Sequence, residues 1–103
     1  MQRLVEQPVG DGDVFHRSAS LGRAHYRLAV YQHFSDEEDE SVPAHLEVEG
    51  RVTALDDLKM SDLRRMRVEL TLRLADGRLL DFLILHEDGT IHSTGRGLHR
   101  LDG

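Results

Sequence analysis

The sequence predicts an all-β fold, a small antiparallel barrel or a strongly twisted sheet with one short helix near residues 56–66. Three observations carry this. Apolar and polar residues alternate strictly over residues 68–74, the Asp-Gly pairs Asp76-Gly77 and Asp88-Gly89 punctuate residues 75–92, and the same alternation recurs over 24–34 and 44–55. A two-residue period is that of a strand with one buried face, and Asp-Gly accepts the positive φ of a tight hairpin.

Taken in order, residues 1–12 open with Leu4 and Val5 and then carry Pro8, Gly10 and Gly12, a breaker-rich lead that either frays or adds a short edge strand. A short strand is expected around Val14-Phe15-His16-Arg17, with Ser18 to Gly22 as its exit. Ala24 to Phe34 is a stronger strand, with Tyr26, Leu28 and Val30 in one phase and His25, Arg27, Tyr31 and His33 in the other. Residues 35–43 form a mobile acidic loop: Asp36, Glu37, Glu38, Asp39 and Glu40 repel one another and bury no apolar surface. Ala44 to Leu55 alternates again, Leu46, Val48, Val52 and Ala54 against Glu47, Glu49, Arg51 and Thr53, with Gly50 in the inward phase predicting a bulge or bend. Asp56 to Met66 breaks the alternation: Leu55, Leu58, Leu63 and Met66 approach helical spacing, and Asp56, Asp57 and Ser61 can cap one or two turns.

The organising unit is the meander over residues 66–92. A two-residue loop at Asp76-Gly77 sets Leu72 opposite Asp81 and forces a carboxylate onto the apolar face, which is costly without a partner. A three-residue loop with Gly77 left-handed instead pairs Leu74 with Arg78, Thr71 with Asp81 and Leu70 with Phe82, and leaves Asp81 outside beside Thr71 and Arg73. This register is expected. On the returning strand Leu79, Leu83 and Leu85 load the second face as heavily as Leu80, Phe82 and Ile84 load the first. Each leucine left in water forgoes about 1.5–3 kcal/mol, so the pattern predicts a central strand covered on both sides, by residues 55–66 or by a second protomer. After the second turn Ile91 faces inward, and Thr94 to Leu101 is a glycine-punctuated, basic last strand and tail.

The 103 residues make one domain, 1–103, large enough for a single core. With no cysteine, disulfide frameworks, thiolate metal sites and cysteine chemistry are excluded. The first twenty residues hold no apolar run of signal-peptide length and the longest apolar run is Phe82 to Leu85, so the expected location is the cytoplasm, with no membrane association. Net charge is -6 and lies wholly in residues 1–50, which hold four arginines against ten acidic residues. Polyphosphate affinity comes from clustered cations, so nucleic acid is not an expected partner.

The seven histidines contain no His-Glu-x-x-His run, and the strand-alternating set His45, Glu47, Glu49 reads as a solvated face, so no metal is assigned. The acidic run lacks the alternating ligands and the glycine of a calcium loop. Serines 18, 20 and 93 lack a Gly-x-Ser-x-Gly context, and Thr94-Gly95-Arg96-Gly97 lacks the lysine and following helix of a phosphate loop. No catalytic constellation and no cofactor are therefore expected. Arg23 to Arg27 and Arg96 to Arg100 repeat Arg-x-x-x-Arg, a spacing that resembles one half of the motif by which PilZ domains, small β-barrels, grip cyclic di-GMP. The other half, Asp/Asn-x-Ser-x-x-Gly on a following strand, follows neither pair.

The functional expectation is a non-catalytic protein-interaction or assembly module, a homodimer through Leu79, Leu83 and Leu85 or through an exposed edge strand. The alternative is a small barrel binding an anionic ligand such as a nucleotide at Arg64, Arg65, Arg67, Arg96, His99 and Arg100. A third reading, a small enzyme using histidine and a carboxylate, requires those groups to converge in a closed pocket.

Overall fold

The computed structural model describes residues 2–33, 46–55 and 60–100, apart from the side chains of residues 2, 33, 60, 61, 95 and 96. The expected acidic loop, together with Asp56, Asp57 and the Arg96 side chain, lies outside the described residues. Seven strands and one helix occur in the order β1 (Gln2–Glu6), β2 (Val9–His16), β3 (Ala19–His33), β4 (Leu46–Ala54), α1 (Met60–Met66), β5 (Leu70–Arg73), β6 (Leu79–Ile84) and β7 (Thr90–His99). All pairings are antiparallel, and β3–β2–β5–β6–β7–β4 closes into a six-stranded barrel because β4 also pairs with β3. The seventh strand, β1, continues β2 along the same edge of β3. Its partners run from His33 to Val30, the Leu28 N–H then donates to the Pro8 carbonyl, and β2 takes over at Arg27.

The alternation seen in the sequence is the inside of this barrel. Val14, Tyr26, Leu28, Val30, Val48, Val52, Leu70, Leu72, Leu80, Phe82 and Ile91 are all buried in one cluster. The first hairpin has the expected register, Leu70↔Phe82 and Thr71↔Asp81, with the Leu74 N–H on the Arg78 carbonyl and Gly77 at φ 91. The second loop is one residue longer. Its turn closes from the Gly89 N–H to the His86 carbonyl, and Ile91 opposite Ile84 points inward as expected.

The β4-to-β5 connection leaves β4 and reaches β5 at the same rim, that of the β2–β3 and β6–β7 hairpins. The two strands are not neighbours, so the connection must cross the open end. Leu63 on α1 is buried in the core cluster and plugs that end.

Four expectations are corrected. The outer face of β6 is not covered by the 55–66 segment: Leu83 is 39% and Leu85 44% exposed, since a closed barrel places the outer face of each strand toward solvent and α1 spends its apolar residue on the end. Gly50 makes no bulge, its pairs with Leu28 and Ile91 being in register; a Cβ there would lie 2.2 Å from the Arg27 carbonyl oxygen, so the glycine answers a close backbone approach. Residues 19–22 belong to β3, because Arg17 and Ser18 both take left-handed backbone (φ 49 and 72) and make a two-residue hairpin without the Asn-Gly signature. Of the two readings of residues 1–12 the short edge strand is found, as β1, while Gly10 and Gly12 lie within β2 rather than in a breaker-rich lead. Gly12 gives way to the Arg73 carbonyl, which a Cβ would approach to 2.3 Å.

Gly50→Ala should cost about 2–3 kcal/mol by overpacking against backbone. Gly77→Ala, with only the Arg100 guanidinium nearby at 3.7 Å, should cost about 1 kcal/mol from its positive φ alone. Urea unfolding of the two variants measures the contrast, and equal midpoints contradict the close-approach reading. Ser18→Gly should raise stability by about 0.5–1 kcal/mol, because glycine relieves the left-handed strain at little other cost; a lowered melting temperature contradicts it.

Candidate functional site

The candidate site is the open edge of β1. Among the described residues this strand pairs only with β3, and β5 reaches the same edge of the sheet only at Asp13–Phe15. Beyond that point no strand of the described residues lies beside the edge. Leu4, Val5 and Val9 are 44%, 52% and 59% exposed there, the three most exposed large apolar residues of the described chain along with Leu85. An edge strand offers unpaired N–H and C=O groups to an incoming strand, and apolar side chains add to its affinity.

A charge clamp fixes where β1 lies. Arg78, at the base of the β5–β6 hairpin, donates from Nη1 and Nη2 to the two carboxylate oxygens of Glu6, the first at 2.9 Å, and from Nε to Asp76 at 2.8 Å. The Asp76 carboxylate also accepts the Arg78 backbone N–H at 3.0 Å. A planar guanidinium suits this two-oxygen grip better than an ammonium. The Arg78 side chain is only 22% exposed. Its hydrogen bonds hold the Glu6 carboxyl below its ordinary value, and the Arg78 N–H and side chain lower Asp76 likewise. The grip joins residues 72 apart in the chain, and no local pattern announces it.

The residues singled out for an anion do not assemble. Arg64, Arg65 and Arg67 are exposed at the rim closed by α1. His99 and Arg100 stand at the opposite rim: His99 pairs with Leu79, and Arg100 donates to the Asp76 carbonyl at 3.3 Å. Leu79 is half-buried and Leu83 and Leu85 exposed on β6, where Leu83 lies opposite His92. Arg23 is drawn to Asp13 at 3.6 Å, and Arg27 lies opposite Arg51 on β4.

Two histidines reach a carboxylate, His25 to Asp11 at 2.8 Å and His92 to Glu47 at 2.7 Å, both on the outer surface. A third, His99, stands 3.9 Å from Asp81 while its Nδ1 donates to the Gly97 carbonyl. It lines an outer groove of about 450 Å³ with Phe15, Arg17, Ser18 and Arg73. There the Arg73 guanidinium lies 5.2 Å from the Phe15 ring centre and bonds Asp13, while Thr71 donates to Asp81 at 2.8 Å, so these groups largely satisfy one another. Among the described residues no three His, Asp or Glu side chains are grouped to hold a metal, and no helix is long and apolar enough to cross a membrane.

Because the folded-state carboxyls of Glu6 and Asp76 lie below their ordinary 4.5 and 3.8, their contribution to stability is present at neutral pH and is lost as pH falls through and below those values. Urea midpoints should drop between pH 7 and pH 3. Glu6→Gln should lower stability at pH 7 by about 0.5–1 kcal/mol and flatten that drop; an unchanged pH profile in the variant shows that the clamp contributes nothing. Compared with known proteins, the chain matches no family model, no curated protein and no solved structure.

Proposed function

We propose that the protein is a non-catalytic interaction module that assembles as a homodimer by adding the β1 strand of a second copy to the open edge of β1. The carrying observation is that β1 holds an edge without a strand partner among the described residues, with Leu4 and Val5 exposed on it. Natural sheets usually blunt such edges with lysine, proline or a covering element. The Gln2–Glu6 segment contains neither lysine nor proline. A second copy fits as the occupant because a two-fold antiparallel pairing centred on Leu4 sets the Leu4 side chains of the two copies against each other, with Val5 and Arg3 flanking them. No like charges then face each other across the junction, and apolar side chains meet at its middle. The Arg78 clamp on Glu6 holds the strand ready, which lowers the ordering cost of association.

The outer face of β6 supports a second mode of self-association, since Leu83 and Leu85 are exposed there. Leu83, opposite His92 of β7, and Leu85 form a pair of exposed leucines, and apolar patches of that size are common on monomers.

Sedimentation at tens of micromolar protein separates the two modes. The parent chain should sediment as a dimer, Val5→Lys as a monomer that still melts cooperatively but without the parent's dependence on concentration, and Leu83→Asp as a dimer. Loss of the dimer in Leu83→Asp and its retention in Val5→Lys would transfer the interface to β6. A parent that stays monomeric at every concentration ends the proposal.

A further inference from the structure

On the outer face of β3 and β4, away from β1, two arginines stand directly opposite each other, Arg27 and Arg51. Like charges at directly opposed positions repel, and a sheet gains by separating them. Here the repulsion is only partly relieved. Arg51 reaches Asp88 at 3.3 Å, with both side chains more than half exposed, whereas Arg27 has no ion pair among the described residues. The neighbouring pair, His25 opposite Thr53, and Thr90 beside Arg51 on β7, extend the same face.

These side chains and the bare backbone of Gly50 line a shallow groove of about 630 Å³. Among the described residues its lining contains two guanidiniums, an imidazole and two hydroxyls, and carboxylates stand at its margin, Asp88 accepting from Arg51 at 3.3 Å and from the Thr90 hydroxyl at 2.6 Å and Asp11 lying 2.8 Å from His25. On a chain of net charge -6, two arginines directly opposed across a strand pair are a local exception. The Arg27 carbonyl fills the place a side chain at Gly50 would take, so the floor there is bare backbone.

We infer that this groove binds the phosphate monoester group of a small molecule, with Arg27 and Arg51 gripping it from opposite strands and Thr53 donating its hydroxyl. A tetrahedral dianion offers three oxygens to donors converging from two sides, and two guanidiniums placed across a strand pair can each take one or two of them. Its charge converts the Arg27–Arg51 repulsion into a bridge. A groove of this volume exceeds what a phosphate ion occupies and leaves room for the body of an ordinary metabolite. The sequence pair Arg23 and Arg27 is thereby divided: Arg23 is held by Asp13, and the second arm of the grip comes from a strand more than twenty residues away.

Calorimetric titration at low salt with three probes, inorganic phosphate, adenosine monophosphate and adenosine, tests the inference on the full chain. Adenosine monophosphate should bind saturably and more tightly than inorganic phosphate, adenosine should not bind, and affinity should fall as salt is raised. Arg27→Gln and Arg51→Gln should each weaken binding about tenfold or more. The unliganded Arg27→Gln protein should melt no lower than the parent, since a repulsion is removed, which separates loss of binding from loss of fold. The inference is overturned if neither phosphate-bearing probe binds at about 10 mM, if adenosine binds as well as its monophosphate, or if both glutamine variants bind like the parent. Val5→Lys, which acts on the dimer, should leave the titration unchanged, so the two proposals fail separately.

Discussion

The pairing of β3 with β4 closes the molecule on itself. Nine consecutive pairs, from Ala24↔Ala54 to Gln32↔Leu46, join the ends of what is otherwise an open ribbon of strands. Without them Val48 and Val52 have no closed interior to face, and the edges of β3 and β4 are exposed to water and to other chains. The geometry that permits it is narrow. The Arg27 carbonyl comes so near Gly50 that any side chain there collides, and the Val52 carbonyl presses equally on Gly89 of the last hairpin, where a Cβ would lie 2.0 Å away. Closure therefore rests on backbone-to-backbone approach at two glycines as much as on apolar burial.

A closed ring has no edges of its own, which makes the placement of β1 notable. β3 runs for 15 residues, longer than any other strand, and its far end projects past the point where β5 stops beside β2. β1 fills one side of that projection and β4 the other. The barrel itself is sealed, and whatever capacity for strand addition the fold retains is concentrated in this extension. The Arg78 grip on Glu6 then has a reason beyond stability: it ties the extension to the β5–β6 hairpin, so that the free edge keeps one direction relative to the barrel.

Charge on the outer surface is mostly arranged in short cross-strand pairs: Asp13 between Arg23 and Arg73, Asp11 with His25, Asp88 with Arg51 and Glu47 with His92. Exposed pairs of this kind contribute only about 0–1 kcal/mol each. Among the described residues Arg3, Arg17, Arg27, Arg64, Arg65 and Arg67 take no such pair, and of these Arg27 is the one that faces a like charge across a strand pair. An acidic protein can in this way keep a localised donor surface, because the acids nearby are already engaged or lie in other parts of the chain.

By itself the sequence determined the meander: a period of two, an Asp-Gly corner and the cost of burying Asp81 leave one register for β5 and β6, all of it local information. It also determined which phase of residues 24–34 and 46–54 faces inward, since Tyr26, Leu28, Val48 and Val52 alternate with polar residues. The candidate edge was half legible, as an apolar Leu4-Val5 pair beside breakers; that Gly10 and Gly12 continue a strand was not, because the close approach that makes glycine necessary at Gly12 comes from Arg73. Only the tertiary structure decided that Leu83 and Leu85 face outward uncovered, that Arg64 to Arg67 and His99 to Arg100 lie at opposite rims, and that Glu6 meets Arg78 and Arg27 meets Arg51. Those outcomes depend on closure, a pairing between strands distant in sequence that places each face and each rim at once, and no window of neighbouring residues contains it.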